Sequence, residues 1–364
     1  MVAHASNHAW LNTTPEDAIE PDLPLCDPHH HLWDRREGGH GRIQSRYLLD
    51  EFLDDIANGA PPDGGANRPA GHNVRASVYI ECGAMFDASA DEAWAPVGET
   101  AFANGVAAMA ASDLYGATRA CAGIIGTVDL KLGDASAAIL DAHIAAGGGR
   151  FRGIRLGAFW HKDARIANHR TQPPPHLLTR EDFKAGFKHL APRALSFEAW
   201  VAHTQIPDVI ALAHAYPETS IVLDHCGGPL GIGPYVGKRD EVMAEWLTQI
   251  TALAACENVT VKLGGLNMDI CGFGWHERPH APSSDELAVA TAPYFEALIE
   301  RFGVERCMFE SNFPVDKLSS SYTVLWNSFK KITRAYSRDE RAWLFHDTAA
   351  RVYRLNAPTG TAPG

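Results

Sequence analysis

Asp27, His29 and His31 alternate in Leu25-Cys26-Asp27-Pro28-His29-His30-His31-Leu32-Trp33, directly after the first apolar step of the chain. In an extended strand every second side chain points the same way. The spacing therefore predicts one face carrying two imidazoles and a carboxylate, with His30 turned to the other side. Imidazoles at i and i+2 can hold one cation or offer two hydrogen bonds to a substrate. A His-x-His alone is a weak sign, since two surface histidines in a His-rich turn read the same way. The apolar strand before it and Asp27 on the shared face favour a site.

Five further segments place polar groups in or at the ends of apolar strands. Ile221-Val222-Leu223 runs into Asp224-His225 and breaks at Cys226-Gly227-Gly228-Pro229. His225 there could ligate a metal, hydrogen-bond a carbonyl or shuttle a proton; the plain alternative is a loop-capping histidine. In Cys307-Met308-Phe309-Glu310-Ser311-Asn312-Phe313-Pro314, alternation puts Glu310 and Asn312 on one face. Phe151-Arg152-Gly153-Ile154-Arg155 sets two arginines on different sides of a strand, and Arg155, nearer the C-terminal end, is the candidate clamp for a substrate carboxylate. Lys262, inside the apolar run Val259–Leu263, needs a partner or a pocket, and Glu81 ends another apolar run. For each of these groups a buried structural ion pair competes evenly with a catalytic role.

These residues need elements to position them. Candidate strands fall at Leu23–His31, Arg75–Glu81, Cys121–Asp129, Gly153–Gly157, Ala194–Trp200, Ser220–Asp224, Val259–Leu263 and Cys307–Ser311. Helical stretches such as Ala135–Ala146, Pro207–Ala215, Arg239–Ala255 and Asp285–Phe302 lie between them. That alternation predicts a single α/β domain, a (β/α)8 TIM barrel over residues 23–356, whose site lies at the C-terminal strand ends. A doubly wound sheet is the rival, weakened by the lack of a G-x-G-x-x-G turn after the first strand. Residues 1–22 read as an N-terminal arm and 357–364 as a disordered tail. Long connections at Asp34–Asn73, Cys82–Gly116 and Arg170–Pro192 read as lids or oligomer contacts.

Bulk properties narrow the function class. The chain has 364 residues, 46% hydrophobic and 21% charged, as in an ordinary globular enzyme. Its net charge of −12 disfavours nucleic acid and anionic membranes as partners. Seven scattered cysteines without a C-x-x-C pair read as reduced cytosolic thiols. Neither a signal peptide nor a membrane-spanning run is expected, and the chain reads as cytoplasmic. The partner is a small molecule; a homo-oligomer stays open.

Assembled, these motifs make the chain resemble the amidohydrolase superfamily, and within it the amidohydrolase-related (amidohydrolase 2) group of sugar lactonases and 2-pyrone-4,6-dicarboxylate lactonases. The resemblance runs from about Leu25 to Leu355. It rests on Asp27–Trp33, Gly153-Ile154-Arg155, Leu223-Asp224-His225-Cys226-Gly227, Ser311-Asn312-Phe313-Pro314 and the closing Thr348–Leu355. It implies hydrolysis of a lactone of a sugar acid or a dicarboxylate. It also implies one divalent ion, zinc or manganese, on His29, His31 and His225, with metal-independent operation open. His225 would stabilise the developing oxyanion, while Arg155, Lys262, Glu81 and Trp33 would line the substrate. The group's last strand normally supplies an aspartate as general base, but here that position is Asn312, which cannot accept a proton at ordinary pH. Glu310 is then the candidate replacement. The fifth strand offers Phe197-Glu198-Ala199-Trp200 and no histidine, so at most one metal is expected. Two other readings remain: a metal-dependent decarboxylase on the same fold, separated by carbon dioxide release, and a non-catalytic ligand-binding barrel, separated by binding without turnover.

Overall fold

The computed structural model describes residues 7–35, 45–57, 71–166 and 171–355. Eight parallel strands follow one another around a barrel: β1 (Leu25–His30), β2 (Val74–Ile80), β3 (Arg119–Gly126), β4 (Phe151–Arg155), β5 (Ser196–Ala199), β6 (Ile221–Leu223), β7 (Val259–Leu263) and β8 (Cys307–Phe309). Each pairs with its sequence neighbours. The barrel closes where the chain beyond β8 meets β1: Asn312 N–H donates to His29 O (2.9 Å) and His31 N–H to Phe313 O (2.8 Å). The expected (β/α)8 architecture is the observed one, and all eight expected strands form.

One helix follows each strand: α1 (Leu49–Ile56), α2 (Val97–Ala110), α3 (Ser136–Ala146), α4 (Glu181–Phe187), α5 (Ile206–Ala215), α6 (Arg239–Ala254), α7 (Ser284–Phe302) and α8 (Tyr322–Ile332). Local chemistry sets several starts. Ser283 and Glu286 form a reciprocal capping box at α7, and the Ser321 hydroxyl accepts from Val324 N–H at α8.

Two of the connections expected to be lids turn out to hold barrel helices. Cys82–Gly116 contains α2, whose buried stripe of Glu99, Ala103, Val106, Ala107 and Ala110 has helical spacing. Its small residues hide the stripe from a hydropathy reading. Arg170–Pro192 contains α4, which lays Phe183, Gly186 and Phe187 inward. A Cβ at Gly186 would stand 2.2 Å from Leu130 O, so only glycine allows this approach. In the first connection, Trp33–Asp34 pairs with Arg46–Tyr47 ahead of α1, while its Pro61–Gly65 turn lies outside the described residues.

The strands are buried on both faces, with a large apolar cluster between strands and helices. A second cluster joins Cys26, Val78, Ile80, Ile125, Val222 and Met308 to Ala349 and Tyr353 of the C-terminal segment. The arm is pinned across the barrel: Trp10 Nε1 donates to Arg278 O (2.9 Å), and Lys330 Nζ to the carbonyls of Ile19 (2.7 Å) and Glu20 (2.9 Å). The tail expected to be disordered lies outside the described residues. No helix among the described residues is long and apolar enough to cross a membrane. All seven cysteines are free and buried.

Candidate active site

The site is built around Glu310, the residue after β8. Its Oε1 accepts from His225 Nδ1 at 2.7 Å and from His225 N–H at 3.2 Å. Its Oε2 lies 2.7 Å from His29 Nδ1 in an ion-pair contact. The sequence makes room for this with Gly264-Gly265 after β7. A Cβ on Gly264 would fall 2.4 Å from Glu310 Cγ, and one on Gly265 would fall 2.4 Å from His225 Nδ1. His225 and Cys226 both adopt left-handed backbone (φ 54° and 55°), which non-glycine residues enter at a cost of about 1–2 kcal/mol each. That strain turns the imidazole inward, where it meets the rings of His29 (centroids 4.5 Å apart) and Trp200 (4.7 Å).

These contacts fix the tautomers. A carboxylate can only accept, so His225 carries its proton on Nδ1. On His29, Nε2 faces only Arg155 Nη1 (3.2 Å), which can only donate, whereas Nδ1 lies 2.7 Å from Glu310 Oε2 and farther, 3.3 Å, from Lys262 Nζ, so the proton of the neutral ring sits on Nδ1. Burial and then the charge of Lys262 depress the His29 pKa to about 4, keeping the ring neutral. Burial alone would raise Glu310, but the His225 and His29 rings beside it hold it well below the usual carboxylate range. Glu310 is thus an ionised orienting group, with Oε1 hydrogen-bonded to His225 and Oε2 beside His29 Nδ1. Its expected part as general base is corrected on that ground: a carboxylate stabilised this strongly has little proton affinity.

Beside this pair lies a buried ionic network. Lys262 Nζ sits 2.5 Å from Glu198 Oε2 and 3.1 Å from Asp224 Oδ1, and Tyr353 Oη donates to Glu198 Oε1 (2.7 Å). Arg155 donates from Nε to Glu81 Oε1 (2.8 Å), from Nη2 to Glu81 O (2.7 Å) and from Nη1 to Asp224 Oδ2 (3.4 Å). Burial lowers Lys262, yet Asp224 and Glu198 outweigh it and keep the ammonium charged. Burial pushes Glu198 up to about 8. The expected substrate contacts from Arg155, Lys262 and Glu81 are corrected accordingly: Arg155 and Glu81 pair with each other and Lys262 with Glu198 and Asp224, the even alternative that alternation could not decide.

β1 also departs from simple alternation. Its pairing with β2 shifts between Asp27 and His30, so Asp27 does not share a face with the imidazoles. Its carboxylate instead accepts from Ser311 N–H (3.0 Å), His29 N–H (3.3 Å) and Tyr322 Oη (3.0 Å), bracing the closing seam. His30 turns away and stacks on Phe52 (4.2 Å). His31 Nδ1 lies 2.8 Å from Ile80 O, and its ring stands 5.0 Å from His29 and stacks against Trp33. Asn312 gives its amide to Asp316 Oδ1 (2.9 Å). Its place among the catalytic groups is corrected to a brace for the turn after β8. Asp224, Glu198, Asp316 and the Gly264-Gly265 pair were given no part by sequence reasoning. Only Asp224 had a local signal, as the strand-end residue beside His225.

A divalent ion finds donors of the right kind here. Ligand atoms of His29, Asp224 and His225 lie within 4.8 Å of one another, so Asp224 replaces His31 in the set expected from sequence. Two of the three, His29 Nε2 and the Asp224 carboxylate, however, already face fixed cations. Arg155 Nη1 covers His29 Nε2 (3.2 Å) and Asp224 Oδ2 (3.4 Å), and Lys262 Nζ faces Asp224 Oδ1 (3.1 Å). An ion added to this arrangement would meet two fixed cations at contact distance. The residues as placed do not fit a resident metal.

Residues 26–355 match the family described as amidohydrolase (Amidohydro_2). An uncharacterized protein, y4mH, of Sinorhizobium fredii is 33% identical over 350 residues, covering 92% of this chain and 99% of that protein. An L-fucono-1,5-lactonase of Burkholderia ambifaria is 30% identical over 253 residues, covering 68% of this chain and 76% of the lactonase. Among solved structures, an amidohydrolase of Burkholderia multivorans with bound zinc superposes with a TM-score of 0.66 at 24% identity, over 92% of this chain and all (100%) of that one.

Proposed function

The chain belongs to the amidohydrolase family, and from that premise we propose that it hydrolyses a lactone of a sugar acid, with His225 as general base and Glu310 as its orienting carboxylate. The observation that carries this reading is the Glu310 bridge. By accepting the His225 Nδ1 proton at 2.7 Å, it leaves the Nε2 lone pair directed away from the carboxylate. No partner for that nitrogen is found among the described residues. An imidazole backed by a carboxylate is a general base whose protonated form is stabilised as it appears. The relative named L-fucono-1,5-lactonase supports a sugar-acid lactone as the substrate class.

In this reading a water molecule gives a proton to His225 Nε2 as its oxygen attacks the lactone carbonyl. The imidazolium is held by ionised Glu310. When the ring C–O bond breaks, the same proton passes to the departing alkoxide oxygen, giving the open hydroxy acid. His29 does not titrate in the cycle. It keeps the second oxygen of Glu310 engaged and, through Arg155, ties the base to Glu81 and Asp224. His31 and Trp33 line the same strand end, and no step is routed through a metal.

The test is acid release from a panel of 1,4- and 1,5-aldonolactones by wild type and His225→Asn, followed with a pH indicator. Turnover of at least one sugar lactone, lost in the variant, is expected. A wild type inert on the whole panel but releasing carbon dioxide from unsaturated or aromatic acids would replace this reading with decarboxylation.

A further inference from the structure

A second polar cavity, of about 270 Å³, lies between the loops after β4 and β6 and the first turns of α6. Those loops leave the C-terminal ends of their strands, the same face of the barrel as His225. An apolar wall of Trp200, Phe159 and Tyr235 runs toward it: Trp200 meets the His225 ring on one side and stacks on Phe159 (5.0 Å) on the other.

The polar groups are set in advance. His161 Nδ1 accepts from Asp163 N–H (3.0 Å), so the ring proton sits on Nε2 and is donated to Tyr235 Oη at 3.1 Å. Having accepted that bond, the Tyr235 hydroxyl turns its own proton outward. Its ring is steadied edge-on by buried His203 (5.1 Å). Glu241, Glu245, Lys162 and Lys238 also line the cavity. Asp163 is neutralised by Arg165 (2.6 Å). The remaining charges are two ammonium and two carboxylate groups, so the cavity has donors and acceptors in number but no net charge to select an ion.

We propose that this cavity binds a neutral polyhydroxylated ligand of monosaccharide size, with Tyr235 and His161 reading its hydroxyls. Hydroxyl groups both donate and accept, and so match a lining of alternating donors and acceptors that would leave a simple anion or cation half unsatisfied. The Tyr235 ring and its apolar wall suit the C–H face of a pyranose. At about 270 Å³ the volume is just below the ~300 Å³ at which pockets begin to take drug-sized ligands, which limits the occupant to about one ring. The site goes beyond the proposed hydrolysis and rests on its own residues.

The experiment is binding, which needs no turnover. The full chain, isotope-labelled at histidine and tyrosine, is titrated by NMR with D-galactose, D-galacturonate and D-galactosamine. Saturable shifts at His161 and Tyr235 with galactose are expected, at least fivefold weaker affinity for the two charged sugars, and at least tenfold weaker galactose binding in Tyr235→Phe and His161→Ala. No shift at either residue, a charged sugar binding more tightly than galactose, or undiminished binding in both variants would overturn the proposal. Tyr235→Phe removes the hydroxyl and its one bond from His161 but keeps the ring and its packing against His203, so it tests the site even if His161→Ala misfolds. An inert wild type in the lactone panel would sink the hydrolase reading and leave this measurement unaffected.

Discussion

Glu310→Gln keeps the shape of the residue bridging the two imidazoles and removes its charge. A carboxamide offers one acceptor oxygen, and its other end is a donor. Two ring N–H groups now meet one acceptor, so one imidazole must turn over or carry its proton on the other nitrogen. If that ring is His225, its Nε2 lone pair is lost outright. If it is His29, the His29 Nε2–H faces Arg155 Nη1, now 3.2 Å away, and the neighbouring network must shift. In either case the imidazolium formed during turnover loses its counter-charge. With Glu310 Oε1 2.7 Å from Nδ1, the charge centres stand about 4 Å apart, and at an effective dielectric of ~20 their attraction is ~4 kcal/mol. That predicts a fall in kcat of roughly 10³-fold with KM nearly unchanged. The assay is initial-rate kinetics on whichever lactone proves active, beside ¹⁵N spectra of histidine-labelled protein. Wild type should show His29 and His225 as Nδ1–H tautomers, and the variant should convert one of them. A variant within tenfold of wild-type kcat, or wild-type rings protonated on Nε2, would refute the reasoning.

Three other outcomes follow from the geometry. Gly265→Ala places a Cβ 2.4 Å from His225 Nδ1 at a backbone φ of 69°, so activity should vanish and the thermal midpoint should fall; a variant with both unchanged would show that the ring is not seated as described. Purified protein analysed by plasma emission should carry well under one equivalent of zinc or manganese, and EDTA should leave turnover intact. One equivalent in wild type, lost in His29→Ala/His225→Ala, would mean that Arg155 yields its place to an ion. His143, buried in α3 with Nδ1 2.8 Å from Thr100 Oγ1, has its pKa lowered by burial to about 4. Above pH ~6.5 it is neutral whether folded or unfolded; as pH falls toward 4 the unfolded chain takes up a proton that the folded chain refuses, costing ~2–3 kcal/mol of stability. Urea unfolding at pH 7 and pH 4.5 should therefore show a smaller loss for His143→Gln than for wild type, and equal losses would rule the account out.

The elements that the sequence revealed well were those with a single cause. Strands such as β6 and β7 are short apolar runs ended by a polar residue or glycine, and α7 has its capping box in Ser283 and Glu286. α2 was hidden because its stripe is mostly alanine with a glutamate and only one larger apolar residue, Val106, which leaves little hydropathy contrast. At the site, residue type and strand position pointed to His29, His225 and Glu310, and the fold brings these three together. Partner choice was not legible. Arg155, Lys262 and Glu81 pair with residues up to 74 positions apart in the chain, and an extended strand gives no sign of which buried charge faces which. Asp27 failed for a local reason: the irregular pairing after it breaks the period of two on which face assignment depends.

The seam that closes the barrel also sets when the protein becomes competent. Asp27 and Ser311, hydrogen-bonded at 3.0 Å, stand 284 residues apart, and Glu310 arrives on the same late segment. Nothing made early in synthesis can hold the His29 ring in its working tautomer, because its acceptor leaves the ribosome only after all eight barrel strands. Closing so long a loop draws on entropy that the other seven strand pairs must already have offset. Catalysis thus reports on completion: a chain stopped before Glu310 can display every histidine of the site and still lack the group that sets their protons.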